Sequence, residues 1–207
     1  ITYGDWSSDV CSSDLDVWGK DETYLWYSLG ASGCWTDIAG GHLGEGTLQA
    51  RYIRGTFDDK PFTLGKYEHT RIRTAISELA ANGGAAMGFY TNFTDPAARK
   101  EIVRYYRFLE ANDDVLHASR SHAEVLLLFP RSKVHAKADI AAVDAFKQLG
   151  KKLLNEHVLF DVLPDELLTP EKKAAYRVVL DATAPKELPE GLSKIGRAHV
   201  LNSSHRT

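Results

Sequence analysis

Apolar and polar positions in residues 16–194 alternate between strand-like and helix-like segments. In the first half, short apolar or aromatic runs predict three strands, at residues 24–29, 61–67 and 85–90. Apolar residues at helical spacing predict helices at residues 46–57, 69–81 and from 96 onwards. The last helix begins at Asp95-Pro96, because aspartate can cap a helix and proline fits its first turn. This order predicts three consecutive strand–helix units.

A second run of units is predicted after a seam near residues 113–122. Residues 124–129 form a near-continuous apolar segment, which is typical of a strand buried on both faces of a parallel sheet. The helix predicted at 138–155 directs six residues inward: Ile140, Val143, Phe146, Leu149, Leu153 and Leu154. Further strands are predicted at 158–163 and 177–181, with a short helix starting at Thr169-Pro170. Strands that alternate with helices pair in parallel through right-handed crossovers.

Composition and charge exclude several classes of partner. The net charge of −3 comes without a basic stripe, which argues against a nucleic acid or an anionic membrane as partner. The longest apolar run, 125–129, is far too short to cross a bilayer. Two cysteines provide neither a disulfide framework nor zinc-ligand spacing. We therefore expect no metal, no cofactor, no nucleic acid and no membrane partner.

Both ends of the chain have an unusual composition. Residues 5–15 resemble one reading frame of a common sequencing adapter, and residues 195–205 resemble the opposite strand of the same oligonucleotide. We therefore expect residues 1–15 and 195–207 to be non-native. The remaining chain is expected to hold two truncated domains, at 16–116 and 117–194.

Four segments in the second half carry a resemblance to a known family. They are Ala123-Glu-Val-Leu-Leu-Leu-Phe, Leu149-Gly-Lys-Lys-Leu-Leu, the segment 158–169, and Tyr176-Arg-Val-Val-Leu. Together they resemble the opening of the flavodoxin-like trimerisation domain of glycoside hydrolase family 42 and of related hypothetical glycoside hydrolases. In that family the domain follows a (β/α)₈ TIM barrel, and the resemblance covers most of residues 45–183. It implies an α/β protein in which the last three βα units of a barrel precede a flavodoxin-like parallel domain.

The resemblance also implies a catalytic residue. In the large barrel clan to which such enzymes belong, the nucleophile is a glutamate at the end of the seventh strand, and Glu68 is the matching position. The acid/base would come from the fourth strand, which lies outside this chain. A retaining glycosidase needs both carboxylates. The alternative is that Glu68 pairs with Arg71 or Arg73, or caps the following helix.

Aromatic and polar residues near the predicted strand ends are candidates for sugar contacts. Trp35 and His42 lie in a glycine-rich segment. The eighth strand of related barrels often carries a tryptophan below the sugar, whereas this chain has Phe89 and Tyr90 there, and Tyr90 is the candidate for the sugar contact. Packing within the core is the alternative for such aromatic side chains. The glycines of residues 40–46 match neither a P-loop nor a dinucleotide fingerprint, so nucleotide binding is not expected.

The basic stretch 131–135 follows the first strand of the second half, where flavodoxin-like folds bind ligands. An anion site is conceivable there, although a structural role is favoured. The sequence thus predicts part of a β-galactosidase-like glycoside hydrolase with a carbohydrate substrate and a homo-oligomeric parent. It is expected to be inactive and poorly soluble by itself, since three βα units cannot close an eight-stranded barrel. The alternative is a non-catalytic flavodoxin-like or amidotransferase-like module for assembly or small-ligand binding.

Overall fold

A computed structural model of the chain describes residues 21–28, 43–65, 72–87, 96–116 and 120–184. The chain divides into two compact units, residues 1–120 and 121–207. The terminal stretches with adapter-like sequence and the predicted cap Asp95 lie outside the described residues. Among the described residues, no helix combines the length and the apolar character needed to cross a bilayer.

The first unit contains a parallel sheet and the helices that connect its strands. The strands are β1 (Leu25–Ser28), β2 (Phe62–Gly65) and β3 (Ala85–Met87), and they are hydrogen-bonded in that order. The helices are α1 (Glu45–Thr56), α2 (Ile72–Ala81), α3 (Pro96–Ala111) and the short α4 (Asp113–Leu116). The predicted strand–helix alternation with parallel pairing is confirmed here. Part of the predicted seam near residues 113–122 is helical, since α4 lies within it.

The core of the first unit forms where α1 and α2 meet the sheet. Its buried residues are Leu25, Ala50, Ile53, Phe62 and Leu79. Ile76, three residues before Leu79 on α2, is fully buried as well. Apolar residues at helical spacing therefore seal the sheet on this side.

Two glycines close α2 and lead the chain into β3. Gly83 has a φ of +79°, a left-handed conformation that glycine adopts without the steric cost of a side chain. At Gly84 a Cβ atom would lie 2.5 Å from Cε2 of the Phe62 ring. Because the ring belongs to the core cluster, the backbone at this corner rests directly on a buried aromatic side chain.

Replacing Gly84 with alanine is therefore expected to lower the free energy of unfolding of the first unit by about 1–3 kcal/mol, the usual cost of overpacking a core. Urea unfolding followed by tryptophan fluorescence measures this, because the four tryptophans all lie within residues 1–35. Adding Phe62→Leu should make the double variant less unstable than the sum of the two single changes. Additive effects would show that the ring is not what the new methyl group meets.

The second unit contains another parallel three-stranded sheet. Its strands are β4 (Val125–Phe129), β5 (Phe160–Pro164) and β6 (Val178–Asp181), arranged in the order β5-β4-β6. Its helices are α5 (Arg131–Lys137), α6 (Ile140–Asn155) and α7 (Pro170–Ala174), and a 3₁₀ turn spans Asp165–Leu167. The central position of β4 explains its almost continuous apolar sequence, since a central strand is buried on both faces.

The core of the second unit joins the central strand to α6. The rings of Phe129 and Phe146 meet edge to face, with centroids 5.1 Å apart and an interplanar angle of 87°. Both side chains are fully buried. Val143 and Leu153, predicted to face inward, are buried too. The predicted amphipathic helix therefore supplies this core.

The start of α6 differs from the prediction. Ala138 has a left-handed conformation and ends α5, a helix that was not predicted. Asp139 instead caps α6, since its carboxylate accepts a hydrogen bond from the N–H of Ala142. Ile140, predicted inward, is 40% exposed. The first residue of α6 is therefore turned away from the core, while Val143 in the same turn is buried.

The cap predicted at Thr169-Pro170 is confirmed. Thr169 Oγ1 accepts a hydrogen bond of 3.2 Å from the N–H of Lys172, and Pro170 occupies the first position of α7. The hydroxyl oxygen satisfies a helical N–H that has no partner within the helix, and proline lacks the N–H that would otherwise need one.

Candidate functional site

The residues assigned to a sugar site from the sequence are Glu68, Trp35, His42 and Tyr90. All four lie outside the described residues, and so does Gly30 at the end of the first predicted strand. Their roles therefore stay predictions. The ends of the strands before these residues are described, however, and they show from which edge of the sheet the chain continues towards each residue.

The carboxyl ends of the three parallel strands in the first unit lie level with one another. Ser28 of β1 pairs with Gly65 of β2, and Gly65 pairs with Met87 of β3. In the sequence, Trp35 follows β1, Glu68 comes three residues after β2, and Tyr90 comes three residues after β3. Segments that leave this one edge thus contain the predicted nucleophile and two predicted sugar contacts.

Helix α1 begins next to the segment that contains His42, and a neighbouring helix caps it. Its N-terminal residue Gly44 has no side chain to offer a cap. Instead, Glu78 of α2 accepts hydrogen bonds of 2.7 Å from both the N–H and the hydroxyl of Thr47. The carboxylate of Glu78 thus compensates the positive end of α1 from outside the helix. Glu45 in the same turn is also buried, with 4% of its surface exposed.

A second polar contact fixes the same two helices one turn further on. Arg51 Nε donates to Asn82 Oδ1 at 3.0 Å, and Asn82 Nδ2 donates to the carbonyl of Glu78 at 2.7 Å. Asn82 is buried, so both the oxygen and the nitrogen of its side-chain amide need partners. With the Thr47 contact, these bonds hold the first two turns of α1 against the C-terminal end of α2.

The second unit has a polar cluster at the carboxyl ends of β4 and β5. Arg131, the first residue after Pro130, is 4% exposed and forms an ion pair with Glu166. The N–H of Ser132 donates to Asp165 Oδ1 at 3.1 Å, and its hydroxyl donates to Asp165 Oδ2. The turn after β4 is thereby joined to the 3₁₀ turn after β5.

Lys133 links the turn after β4 to the end of β6. Its Nζ donates to Thr183 Oγ1 at 2.5 Å, while the N–H and hydroxyl of Thr183 donate to Asp181 Oδ1 at 2.8 and 2.7 Å. Burial acts to raise the pKa of Asp181. The hydrogen bonds from Thr183, the charge of Lys133 and the N–H of Ala184 outweigh burial, so the pKa lies below its ordinary value.

The depressed pKa of Asp181 gives a prediction about pH. A carboxyl whose folded pKa lies below its unfolded value of about 3.9 adds stability above that pH and loses it as the pH falls further. Asp181→Asn is therefore expected to lower the unfolding free energy at pH 7 and to flatten its decline below about pH 4. Thr183→Val should reproduce part of the effect. Urea unfolding followed by far-UV circular dichroism at several pH values measures the unfolding free energy of both variants. If the unfolding free energy of Asp181→Asn fell below pH 4 as steeply as that of the wild type, the depressed pKa of Asp181 would be contradicted.

The arrangement at this edge accounts for the basic stretch noted in the sequence. Arg131, Ser132 and Lys133 all have protein partners, and each partner belongs to the turn after a neighbouring strand. Within the part of the chain that the structure describes, no group of three or more histidine, cysteine or acidic side chains could hold a metal ion. The favoured structural role of residues 131–135 agrees with this geometry.

Sequence reasoning missed the acidic half of this cluster. Asp165 and Glu166 follow β5 directly, as the basic residues follow β4. Since β4 and β5 pair in parallel with Phe129 opposite Pro164, opposite charges after the two strands meet at one edge. The sequence therefore contained a signal for this cluster: a basic run directly after one strand and an acidic run directly after the strand paired with it.

The fold resembles that of a known glycosidase. The chain superposes on part of α-L-fucosidase isoenzyme 2 from Paenibacillus thiaminolyticus with a TM-score of 0.56 and 19% sequence identity. The match covers 93% of this chain but 29% of the fucosidase chain. No protein-family model and no curated protein matches the sequence. At this identity the likeness shows a shared α/β fold with part of a glycoside hydrolase structure.

Proposed function

We propose that this chain forms part of a glycoside hydrolase, in which the first unit contributes the last three βα units of a catalytic TIM barrel. The observation that carries the proposal is the fold match over 93% of the chain to part of an enzyme named as a fucosidase. The match extends over most of both units, so it supports the expected succession of barrel end and second domain.

The order of the strands in each sheet supports the same assignment. In the first unit, strands that are consecutive in the sequence are neighbours in the sheet, as in a (β/α)₈ barrel. In the second unit the order β5-β4-β6 corresponds to the 2-1-3 order with which flavodoxin-like sheets begin. A barrel end followed by a flavodoxin-like domain is the organisation that the sequence resemblance implies.

The proposed chemistry is retaining hydrolysis with Glu68 as the nucleophile. TIM-barrel active sites lie at the carboxyl ends of the strands, and Glu68 comes three residues after Gly65, the last residue of β2. Its carboxylate would attack the anomeric carbon, while an acid/base carboxyl about 5–5.5 Å away protonates the leaving oxygen. That second carboxyl would come from a barrel strand outside this chain. Water then releases the sugar with its original anomeric configuration.

Trp35, His42 and Tyr90 are proposed to bind the sugar. An aromatic ring can stack on the apolar face of a sugar, and an imidazole can hydrogen-bond to its hydroxyl groups. The sequence resemblance favours a β-galactoside, whereas the matched structure is named for activity on an α-L-fucoside. We propose a β-galactosidase-like specificity and use the fucoside as the competing substrate.

The test is an activity assay on the protein encoded by the complete open reading frame that contains residues 16–194. Aryl β-D-galactosides and aryl α-L-fucosides serve as substrates, and proton NMR identifies the first anomer released. We expect hydrolysis of the galactoside with retention of configuration. Faster hydrolysis of the fucoside would reassign the sugar, and inversion would remove the nucleophile role. A folded protein that cleaves neither class would favour the non-catalytic assembly module.

We propose a structural and oligomer-forming role for the second unit. Its strand ends are tied together by Arg131, Ser132 and Lys133, which supports a rigid scaffold at the edge where flavodoxin-like folds bind ligands. Under this proposal the complete protein is a homo-oligomer. Its mass in solution, measured by light scattering, should be at least twice the mass of one chain.

A further inference from the structure

The corner between α2 and β3 contains the sequence Asn82-Gly83, in which a side-chain amide precedes a glycine N–H. Glycine has no Cβ atom, so its backbone nitrogen can approach the side-chain carbon of the preceding asparagine with little steric hindrance. Asn82 is buried, whereas Gly83 is exposed to solvent. We propose that Asn82-Gly83 is a site of spontaneous deamidation, which the folded chain keeps unreactive by holding both reacting groups in hydrogen bonds.

The reaction needs water and a base as its reagents. The Gly83 nitrogen gives up its proton to a base in solution and forms a bond to Cγ of Asn82. The bond between Cγ and Nδ2 breaks, and that nitrogen takes up a proton and leaves as ammonia. Water then opens the resulting cyclic succinimide at either of its carbonyl groups. The product at position 82 is an aspartate or an isoaspartate, in which the main chain runs through Cβ and Cγ.

The side chain that would react is fixed by the contact between α1 and α2. Asn82 Oδ1 accepts from Nε of Arg51 at 3.0 Å, and Nδ2 donates to the carbonyl of Glu78 at 2.7 Å. Cyclisation requires Cγ to turn towards the Gly83 nitrogen and Nδ2 to leave. Both steps break hydrogen bonds of a buried amide, and each broken bond leaves a polar group that needs a new partner.

The nitrogen that would attack is fixed by the turn at the end of α2. The N–H of Gly83 donates to the carbonyl of Ala80 at 3.2 Å, and the N–H of Gly84 donates to that of Leu79 at 2.9 Å. These are the two bonds of a Schellman motif, in which the glycine has a positive φ, here +79°. The proton that the reaction removes is therefore held in a hydrogen bond. The reaction has to wait until this end of α2 opens locally.

Deamidation of the full chain should therefore be slower when it is folded. The chain is incubated at mildly alkaline pH in buffer and in concentrated urea, and its tryptic peptides are followed by mass spectrometry. In urea, the peptide of residues 74–99 should gain the mass by which a hydroxyl exceeds an amino group, with the change at position 82. In buffer the rate should be lower by roughly tenfold or more, because local opening must come first. Asn92 in the same peptide precedes a phenylalanine, which hinders cyclisation, and serves as the internal control.

Arg51 tests where the protection comes from. Arg51→Met should raise the rate in buffer several-fold and leave the rate in urea unchanged. Ile53→Val is the matched control, because it weakens the core from the same helix and leaves both bonds of the Asn82 amide in place. Small additions of urea bring the two variants to equal unfolding free energy, and the rate of Ile53→Val should then be the lower one. If Arg51→Met does not fold, Arg51→Lys keeps the charge without the Nε donor.

Three results would overturn the proposal. If residue 82 stays unmodified in urea, the sequence is not a deamidation site. If the rates in buffer and in urea are equal, the fold does not protect it. If Arg51→Met and Ile53→Val react equally fast at equal unfolding free energy, the bond from Arg51 to Asn82 is not what holds the amide unreactive.

Discussion

Under the proposed function, replacing Glu68 with glutamine in the complete protein is expected to lower kcat/KM for an aryl glycoside by roughly 10³-fold or more, as removal of a covalent nucleophile does in other enzymes. Glutamine has nearly the same shape but cannot form the glycosyl ester on which retention depends. Steady-state kinetics measures the loss, and circular dichroism should show an unchanged fold. Glu110→Gln, on the exposed surface of α3, is the matched control and should retain full activity.

Azide can distinguish a missing nucleophile from a damaged site. In Glu68→Gly the vacated space admits azide, which attacks the anomeric carbon directly as the acid protonates the leaving oxygen. One displacement replaces two, so the product should be a glycosyl azide of inverted configuration. If Glu68→Gln stays near wild-type activity, Glu68 instead pairs with an arginine or caps a helix, which was the alternative interpretation of the sequence.

Phe146→Ala is expected to have the largest effect on stability. Its ring is fully buried and meets Phe129 of the central strand edge to face, so truncation removes the aromatic contact and leaves a cavity. Changes of this kind cost about 3–5 kcal/mol. Urea unfolding by circular dichroism at 222 nm should show the loss, while tryptophan fluorescence, which reports on residues 1–35, should show the first unit unaffected.

The control for Phe146 is an apolar residue at the surface of the same unit. Leu159 is 41% exposed, and its replacement by alanine is expected to cost less than about 1 kcal/mol. Similar losses for Leu159→Ala and Phe146→Ala would mean that α6 does not pack as described. A simultaneous shift of the tryptophan transition would instead show that the two units unfold as one.

The elements that the sequence predicted well are those whose signal is local. The apolar run of β4 and the cap at Thr169 depend on residues close together in the chain, and both were found as expected. Helix α5 was missed because it has two buried residues, Arg131 and Val134, and one of them is charged. Two such positions are too few to show a helical spacing of apolar residues. Ile140 was misplaced because helical periodicity does not record where a preceding left-handed residue turns the chain.

The polar contacts were beyond local reasoning for a different reason. Arg131 and Glu166 are 35 positions apart, and Thr47 and Glu78 are 31 apart. Such pairs can be predicted only when strand register and helix packing are known. A shift of one residue along a strand, for example, moves every side chain to the other face. The catalytic assignment of Glu68 rests on family resemblance together with its place after β2, since spacing alone does not supply the second carboxylate.

The close approach of Gly84 to the Phe62 ring links two positions that are 22 residues apart in the chain. Neither can change freely while the other stays as it is. Among homologous chains, positions 62 and 84 should therefore vary together: an aromatic residue at 62 accompanies glycine at 84, and a larger residue at 84 accompanies a smaller one at 62. This pair would thus leave a coevolutionary trace of the contact between β2 and the corner before β3.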